Sequence, residues 1–500
     1  MSNSIEPESA VIGVLSEAVS AVPGQLLKAL HRALRESIVG GRLTAGLRLP
    51  STRVLAAALG VSRNTAIALY DLLASEGYVV ARGKGGTSVA DALPRVRKRA
   101  AIAAGEAVAP KGPWLRSAWF APAAPAKVIT AAPAVALKHD FTVGVPEIAP
   151  LPFAVLRRLT GRALREAERS AAEYGAPQGL PRMRAAIASH VSATRAVACA
   201  PEDVIVTQGA QQAFDLLARV LVASGQTAVA IEDPGYPPLR SAFMGAGARL
   251  APIAVDDEGL VVDRIPAGSH IVCVTPSHQF PRGVTLSAER RRQLMDLAHD
   301  TPAVVIEDDY DSEFRFGRRP LDALKTLDRE GRVFYVGTFS KSLYPALRLG
   351  YIVAPRWALG ALAAAKQAAD WHSCTLTQAA VAAFIEEGHL LRHARRMQAI
   401  YRGRREALVA AVERHLGAAA EALPGEAGLH MAIRLKGRCA SPRQIALRAI
   451  EQGVRVETLA RYAVTPREVA PRDDALLFGY GRIEAAQMDD AIRRLSRCLG

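Results

Sequence analysis

The run Val333–Val336 reads as a buried strand, and it leads into Thr338-Phe339-Ser340-Lys341. Ligands of open α/β sheets bind beyond the C-terminal ends of the strands, so Lys341 stands where a ligand would sit. An amine there can condense with an aldehyde. The hydroxyls of Thr338 and Ser340 could reach a phosphate, and Arg348, seven positions on, supplies a fixed positive charge for it. A second run, Ala303–Ile306, ends in Glu307-Asp308-Asp309-Tyr310. A carboxylate facing a pyridine nitrogen keeps it protonated, which lets the ring accept electrons. A neighbouring tyrosine hydroxyl can bond a phenolic oxygen. Taken alone, that loop reads equally well as an acidic strand end or a Mg²⁺ site. A third strand, Val204–Thr207, runs into Gln208-Gly209-Ala210-Gln211-Gln212, where a helix starting on small residues presents N–H groups to an anion. A fourth, Ala228–Ile231, leads to Glu232-Asp233-Pro234-Gly235-Tyr236, which sets an aromatic ring after a tight turn. Together the four describe a pocket for a phosphorylated aromatic aldehyde.

The elements that must carry these residues alternate in type. Further strands are expected at Ile271–Thr275 and Gly350–Val353, and helices from Ala210 through Val222, at Ala288–His299 and at Trp357–Ala369. The strands are short and almost continuously apolar, which suits burial on both faces of a mostly parallel sheet. From about His393 a long helix gives way to a smaller α+β unit. The fold class is α/β.

A different chemistry precedes it. Pro50-Ser51 can start a helix that Gly60 stops, and Ser62 can cap the next one. That second helix opens on Arg63, Asn64 and Thr65, side chains able to read base edges or anchor phosphates. Two short strands, Tyr78-Val79-Val80 and Thr87-Ser88-Val89, flank the basic, glycine-rich Arg82-Gly83-Lys84-Gly85-Gly86. Arg53, Arg82 and Lys84 would neutralise backbone phosphates. The plain alternative is a pair of amphipathic helices with a solvated basic face.

Charge supports the DNA reading. The chain of 500 residues carries a net +15, and 13 Lys and Arg stand against four acidic residues between Pro23 and Arg99. Three segments are expected: a DNA-binding domain at 22–91, an Ala/Pro-rich linker at 92–140, and a ligand-binding and dimerisation domain at 141–500. Trp114 and Trp119 in the linker hint that part of it docks on a domain. The five cysteines are scattered, with no CxxC pair to suggest zinc and no disulfide framework. No stretch is long and apolar enough to span a bilayer. A cytoplasmic protein with no bound metal is expected.

Two resemblances sharpen this reading. Leu49-Pro50-Ser51-Thr52-Arg53, Leu59-Gly60-Val61-Ser62-Arg63-Asn64-Thr65, Glu76-Gly77-Tyr78 and Gly85-Gly86-Thr87 resemble the GntR-family winged helix-turn-helix. The resemblance implies that Arg53, Arg63, Asn64, Thr65, Lys84 and Gly85 contact an operator in double-stranded DNA. Tyr236, Asp308-Asp309-Tyr310, Ser340-Lys341 and Arg348 resemble the site of fold-type-I aminotransferases. Joined, the two look like the MocR/GabR group of regulators. That resemblance implies pyridoxal 5'-phosphate bound as an aldimine to Lys341. Asp308 would face the ring nitrogen, Tyr310 the ring oxygen and Tyr236 the ring itself. Gly209, Ala210, Gln211, Ser340 and Arg348 would hold the phosphate. It also implies a homodimer that responds to a small amine, an amino acid or the cofactor.

Two departures from the enzymes argue against efficient transamination. Where they carry Asn-Pro-x-Gly, this chain has Phe280-Pro281-Arg282-Gly283, with His278 and Gln279 as candidate substitutes for the asparagine. Their carboxylate-clamping arginine is missing from Leu476–Tyr480. Arg461 resembles the regulators' counterpart, with Arg482 as fallback. The alternatives to a regulator are a working aminotransferase with an accessory DNA-binding head, and a scaffold whose cofactor site is vestigial.

Overall fold

In a computed structural model the chain forms two compact units, one within residues 1–111 and one within 112–500. The structure describes residues 7–20, 26–81, 86–91, 137–169, 173–316, 322–464 apart from 424, 426 and 438, and 475–500.

The first unit has helices α1 (Pro7–Ser16), α2 (Leu26–Val39), α3 (Thr52–Leu59) and α4 (Arg63–Ser75), then strands β1 (Val79–Ala81) and β2 (Thr87–Val89). Local chemistry sets the boundaries. Ser51 Oγ accepts from the Val54 N–H at 3.3 Å and starts α3. Gly60, at φ +66°, ends it in the left-handed conformation that glycine adopts without strain. Ser62 Oγ accepts from the Thr65 N–H at 3.1 Å and starts α4. Leu30 and Leu34, four apart on α2, pack with Leu55, Leu69 and Leu73. Val11 and Leu15 of α1 enter the same core although they lie ahead of residue 22. The two strands pair antiparallel, Val79 opposite Val89 and Ala81 opposite Thr87. Arg48 bridges to Ser88 on their far side. The wing tip with Arg82, Lys84 and Gly85 lies outside the described residues, as does 92–136 with Trp114 and Trp119.

The second unit is built on an eight-stranded sheet. Across it the strands run Val204–Thr207, Gly350–Val353, Val333–Thr338, Val304–Asp309, Ile271–Val274, Ala228–Asp233, Arg249–Asp256 and Gly259–Leu260. The five from Val333–Thr338 to Arg249–Asp256 are mutually parallel. Gly350–Val353 is antiparallel to both neighbours, because the chain returns to it through a short turn rather than a crossover helix. Side chains alternate between the two faces of the sheet: Ile205, Ile231 and Ile306 enter the core on one face, while Val204 and Val206, and Ala230 and Val305, enter two clusters on the other. That two-sided burial explains the continuous apolar runs. The helices expected at 210–222, 288–299 and 357–369 are observed at Ala210–Leu221, Ala288–Asp300 and Arg356–Asp370.

A smaller subdomain follows the 27-residue helix His389–His415. Its antiparallel sheet orders Ala420–Ala422, His430–Leu435, Ala475–Gly479 and Glu457–Thr458. His139–Asp140 pairs with Val454–Arg455, which leads the chain from this subdomain through Phe141–Pro146 toward the strand ends of the large sheet. Among the described residues no helix is long and apolar enough to cross a membrane.

Candidate functional site

The C-terminal ends of the parallel strands gather the reactive residues. Val304–Asp309 delivers Asp308, which is 3% exposed. Its Oδ1 is buried with no hydrogen-bond partner among the described residues. Burial drives its pKa well above the ordinary carboxylate range, Asp309, Asp311 and Glu232 push it further, and the charge of Lys341 opposes them. Asp309 points elsewhere: its Oδ2 accepts from Arg195 Nε at 2.7 Å and Tyr335 OH at 2.5 Å. Glu307 accepts from the N–H groups of Leu324 and Lys325, both at 2.9 Å. Three successive acids thus have three separate environments. The alternation of a strand and the turn beyond it separate them.

The next strand, Val333–Thr338, delivers Lys341, whose Nζ donates to the Gly144 carbonyl. Burial lowers its pKa, and Asp311 and Asp308 partly restore it. A Cβ at Gly144 would stand 3.3 Å from that nitrogen, so bare backbone lets the amine sit there. Beside it Thr338 Oγ1 donates to Ser340 Oγ at 3.0 Å and accepts from Ser340 N at 3.2 Å.

A cradle lies at the start of the helix Ala210–Leu221. Gly209 is its N-cap, with φ +76° and no side-chain cap, which leaves the first N–H groups to whatever binds there. Arg348 donates to the Gln208 carbonyl at 2.9 Å, and its guanidinium would lie 3.1 Å from a Cβ at Gly209. Gly350 passes so close that a Cβ on it would meet Gly209 at 2.9 Å. Backbone amides, the helix dipole and a guanidinium converge here, the make-up of an anion site. Ala210 follows the cap, and the Gln211 amide donates to Pro238 O at 3.2 Å.

Aromatic rings close the pocket. Phe280 stands among Tyr236, Tyr310, His430 and Tyr462 at centroid distances of 5.3, 6.1, 5.4 and 4.9 Å. Burial raises the Tyr236 pKa to about 12. Phe280 therefore packs where the enzymes carry a hydrogen-bonding asparagine. Gln279 does not take over: its amide donates to Glu232, the Pro234 carbonyl and the Phe280 carbonyl. His278 instead reaches Tyr310, with Nδ1 2.9 Å from its hydroxyl and 3.0 Å from Asp311 Oδ2. Arg461, in the turn Leu459–Tyr462, is half-exposed with Nε 3.7 Å from Glu457 Oε2. Arg482 is exposed.

In the first unit Arg53, Arg63 and Asn64 are exposed. Thr65 is half-buried and its hydroxyl lies 2.8 Å from Ser62 Oγ, so it serves the cap as well as the surface. Sequence reasoning passed over Arg48, exposed and with its guanidinium beside Gly86 at the base of the wing; a basic residue just before Leu49-Pro50 was the available signal. It also passed over Gly144, Asp311, Gly428 and His430. No local pattern marks these, because each gains meaning only from a distant partner.

Residues 26–89 match the gntR family of bacterial regulatory proteins, and residues 138–492 match aminotransferase class I and II. The chain is similar to the probable rhizopine catabolism regulatory protein MocR of Rhizobium meliloti, 37% identical over 93% of this chain and 92% of that protein. It is similar to the HTH-type transcriptional regulator TauR of Rhodobacter capsulatus, 34% identical over 95% of this chain and 97% of the other. Among solved structures it resembles LysN, the α-aminoadipate aminotransferase of Thermus thermophilus crystallised with N-(5'-phosphopyridoxyl)-L-leucine. The TM-score is 0.64 at 28% identity, over 72% of this chain and 91% of that one. With a gntR head, an aminotransferase-fold body and relatives matched over nearly their whole length, this chain belongs to the MocR/GabR-type DNA-binding transcription regulators.

Proposed function

We propose that this regulator holds pyridoxal 5'-phosphate in its second domain and converts the state of that site into a change of DNA binding. One observation carries the reading: a half-buried lysine amine, an unpartnered buried carboxylate oxygen, an uncapped helix start and an arginine gather at the ends of adjacent strands of one sheet. Asp308 Oδ1 lacks a partner, and a protonated ring nitrogen would supply one, favouring the carboxylate that burial otherwise resists. The Gly209 cradle accepts a phosphate where a side chain would fill it.

When bound, the cofactor supplies an aldehyde carbon that exchanges one amine for another, on a ring that withdraws electrons. The chain's residues then divide the work. Lys341 provides the amine, and its lowered pKa favours the neutral, nucleophilic form. Asp308 holds a proton on the ring nitrogen, and Tyr310 faces the ring oxygen. Tyr236 lines the ring. Gly209, Ala210 and Gln211 offer backbone N–H groups to the phosphate, with Ser340 and Arg348. Arg461, half-exposed beside the Tyr462–Phe280 contact, is placed in the role of receiving an effector carboxylate by exchanging Glu457 for it.

The effector is a small amine or amino acid, or the cofactor itself, and the working species is a homodimer. Arg53, Arg63, Asn64, Thr65, Lys84 and Gly85 contact the operator. An effector acts only by binding two conformations with different affinity. Phe280, packed among rings instead of offering a hydrogen bond, favours sensing over turnover.

The test is spectroscopic and functional. Added pyridoxal phosphate should give the protein a visible absorbance band that Lys341→Ala abolishes while the fold persists. The cofactor or an added amine should change affinity for DNA upstream of the protein's own gene. An unchanged band in Lys341→Ala refutes the role of that lysine. Steady amino-acid turnover at ordinary enzymatic rates, on the order of 1–10³ s⁻¹, would favour the enzyme reading instead.

A further inference from the structure

His278 makes a contact whose consequence follows from proton counting. Its ring is 2% exposed. Nδ1 lies 3.0 and 3.2 Å from the two Asp311 oxygens and 2.9 Å from the Tyr310 hydroxyl. One ring nitrogen carries either one proton or one lone pair, and a carboxylate only accepts. Against Asp311, Nδ1 is therefore the protonated nitrogen. The Tyr310 oxygen faces the same N–H as a second acceptor, and the phenol's own proton is left to point elsewhere. Nε2 is buried with no partner among the described residues, and in this tautomer it carries a lone pair. The His278 and Tyr310 rings lie 5.8 Å apart, 30° from parallel, which keeps the hydroxyl at Nδ1.

Bare backbone makes room for the pair. Gly428 has φ +83°, and a Cβ on it would fall 2.1 Å from His278 Cε1 and 2.5 Å from Asp311 Oδ2. His430, its ring 4.8 Å from that of His278, turns Nε2 to the Pro281 carbonyl at 3.2 Å. His278, Asp311 and His430 bring possible metal-ligand atoms within 4.8 Å of one another, but these hydrogen bonds account for the trio without an ion. The other titratable groups around the hydroxyl are Asp308, Glu232 and Tyr480, and Lys341 acts on Asp308 in turn.

We propose that His278, fixed by Asp311, is a positioning residue for Tyr310, turning the Tyr310 proton toward the ring oxygen of bound pyridoxal phosphate, where Phe280 offers no hydrogen bond of its own. The inference rests on the reading that the cofactor binds at Lys341.

The test uses the full-length protein loaded with pyridoxal phosphate and follows its visible band against pH. Losing a donor to the ring oxygen makes that oxygen hold its proton to higher pH. His278→Phe should keep the band and move its midpoint up by about half to one pH unit. His278→Asn, which returns an N–H near the same place, should move it back toward the parent. Tyr310→Phe should shift the midpoint by itself, and His278→Phe should add nothing in that background. His278→Leu tests the same link if His278→Phe fails to fold, and should shift the midpoint in the same direction. In cofactor-free protein, ¹⁵N NMR should find the His278 proton on Nδ1. A present band with an unmoved midpoint, additive shifts, or a bare Nδ1 overturns the proposal and leaves the cofactor reading standing. A parent protein with no band sinks both.

Discussion

The two units solve opposite problems with opposite interiors. In the head, Ser37 and Ser88 are the buried polar side chains among the described residues, and the residues expected to meet DNA stand exposed on capped helices. In the body, Glu232, Glu307, Asp308, Asp309, Asp311, His278 and Arg195 are all buried near the strand ends. A surface that reads a long polyanion works in water, where its charges stay solvated and are screened by salt. A pocket that controls one ring and one aldehyde must hold charge in a dry place, where each unpaired group costs free energy. Function in the head therefore adds little strain to folding, whereas function in the body opposes it.

That contrast can be broken at several points, beginning with the largest expected effect. Burial raises Glu232 to about 7 from 4.5, while hydrogen bonds from Thr275 and Gln279 pull the other way. As pH rises through this window the unfolded chain loses its proton first, so Glu232 withdraws stability from the folded state. Glu232→Gln should gain on the parent by about 3 kcal/mol between pH 4.5 and 7.5, read from denaturant unfolding of the body. A constant difference across that range would show that the buried acid is not opposing the fold.

Arg348→Met removes the charge beside Gly209. Pyridoxal phosphate should then bind roughly thirtyfold more weakly by spectroscopic titration, about the 2 kcal/mol of a charge-assisted hydrogen bond. An unchanged affinity would take the phosphate away from the helix start. In the head, Arg63→Ala should weaken operator binding roughly tenfold in a footprint or anisotropy titration and leave the visible band untouched. Parent binding should also fall steeply with added salt. Equal operator affinity in the variant would deny the second helix its reading role. The smallest effect belongs to a cap. Ser62→Ala should cost the head about 1 kcal/mol, and a larger loss would mean that the Ser62–Thr65 hydroxyl contact orders more than one turn.

What could be read in advance follows the same division. The helix boundaries in the head came from Ser51, Gly60 and Ser62, because caps act over three or four residues and are visible as local words. Strand positions in the body came from apolar runs, since two-faced burial leaves no room for polar residues. Lys341, Asp308 and Arg348 were legible because strand ends and helix starts place them at predictable spots. The antiparallel Gly350–Val353 was not, because direction depends on how a turn packs.

The amino-acid order alone thus determined the two-domain plan, the fold class and the residue types able to hold a phosphorylated aldehyde, since periodicity, capping and strand-end chemistry are short-range properties. Only the tertiary structure decided which of two neighbours, His278 or Gln279, faces Tyr310, and that Asp311, Gly428 and Gly144 belong to the same pocket. The physical reason is that these contacts join residues from tens to hundreds of positions apart. A hydrogen bond's donor and acceptor are assigned by geometry, to which spacing along the chain gives no key.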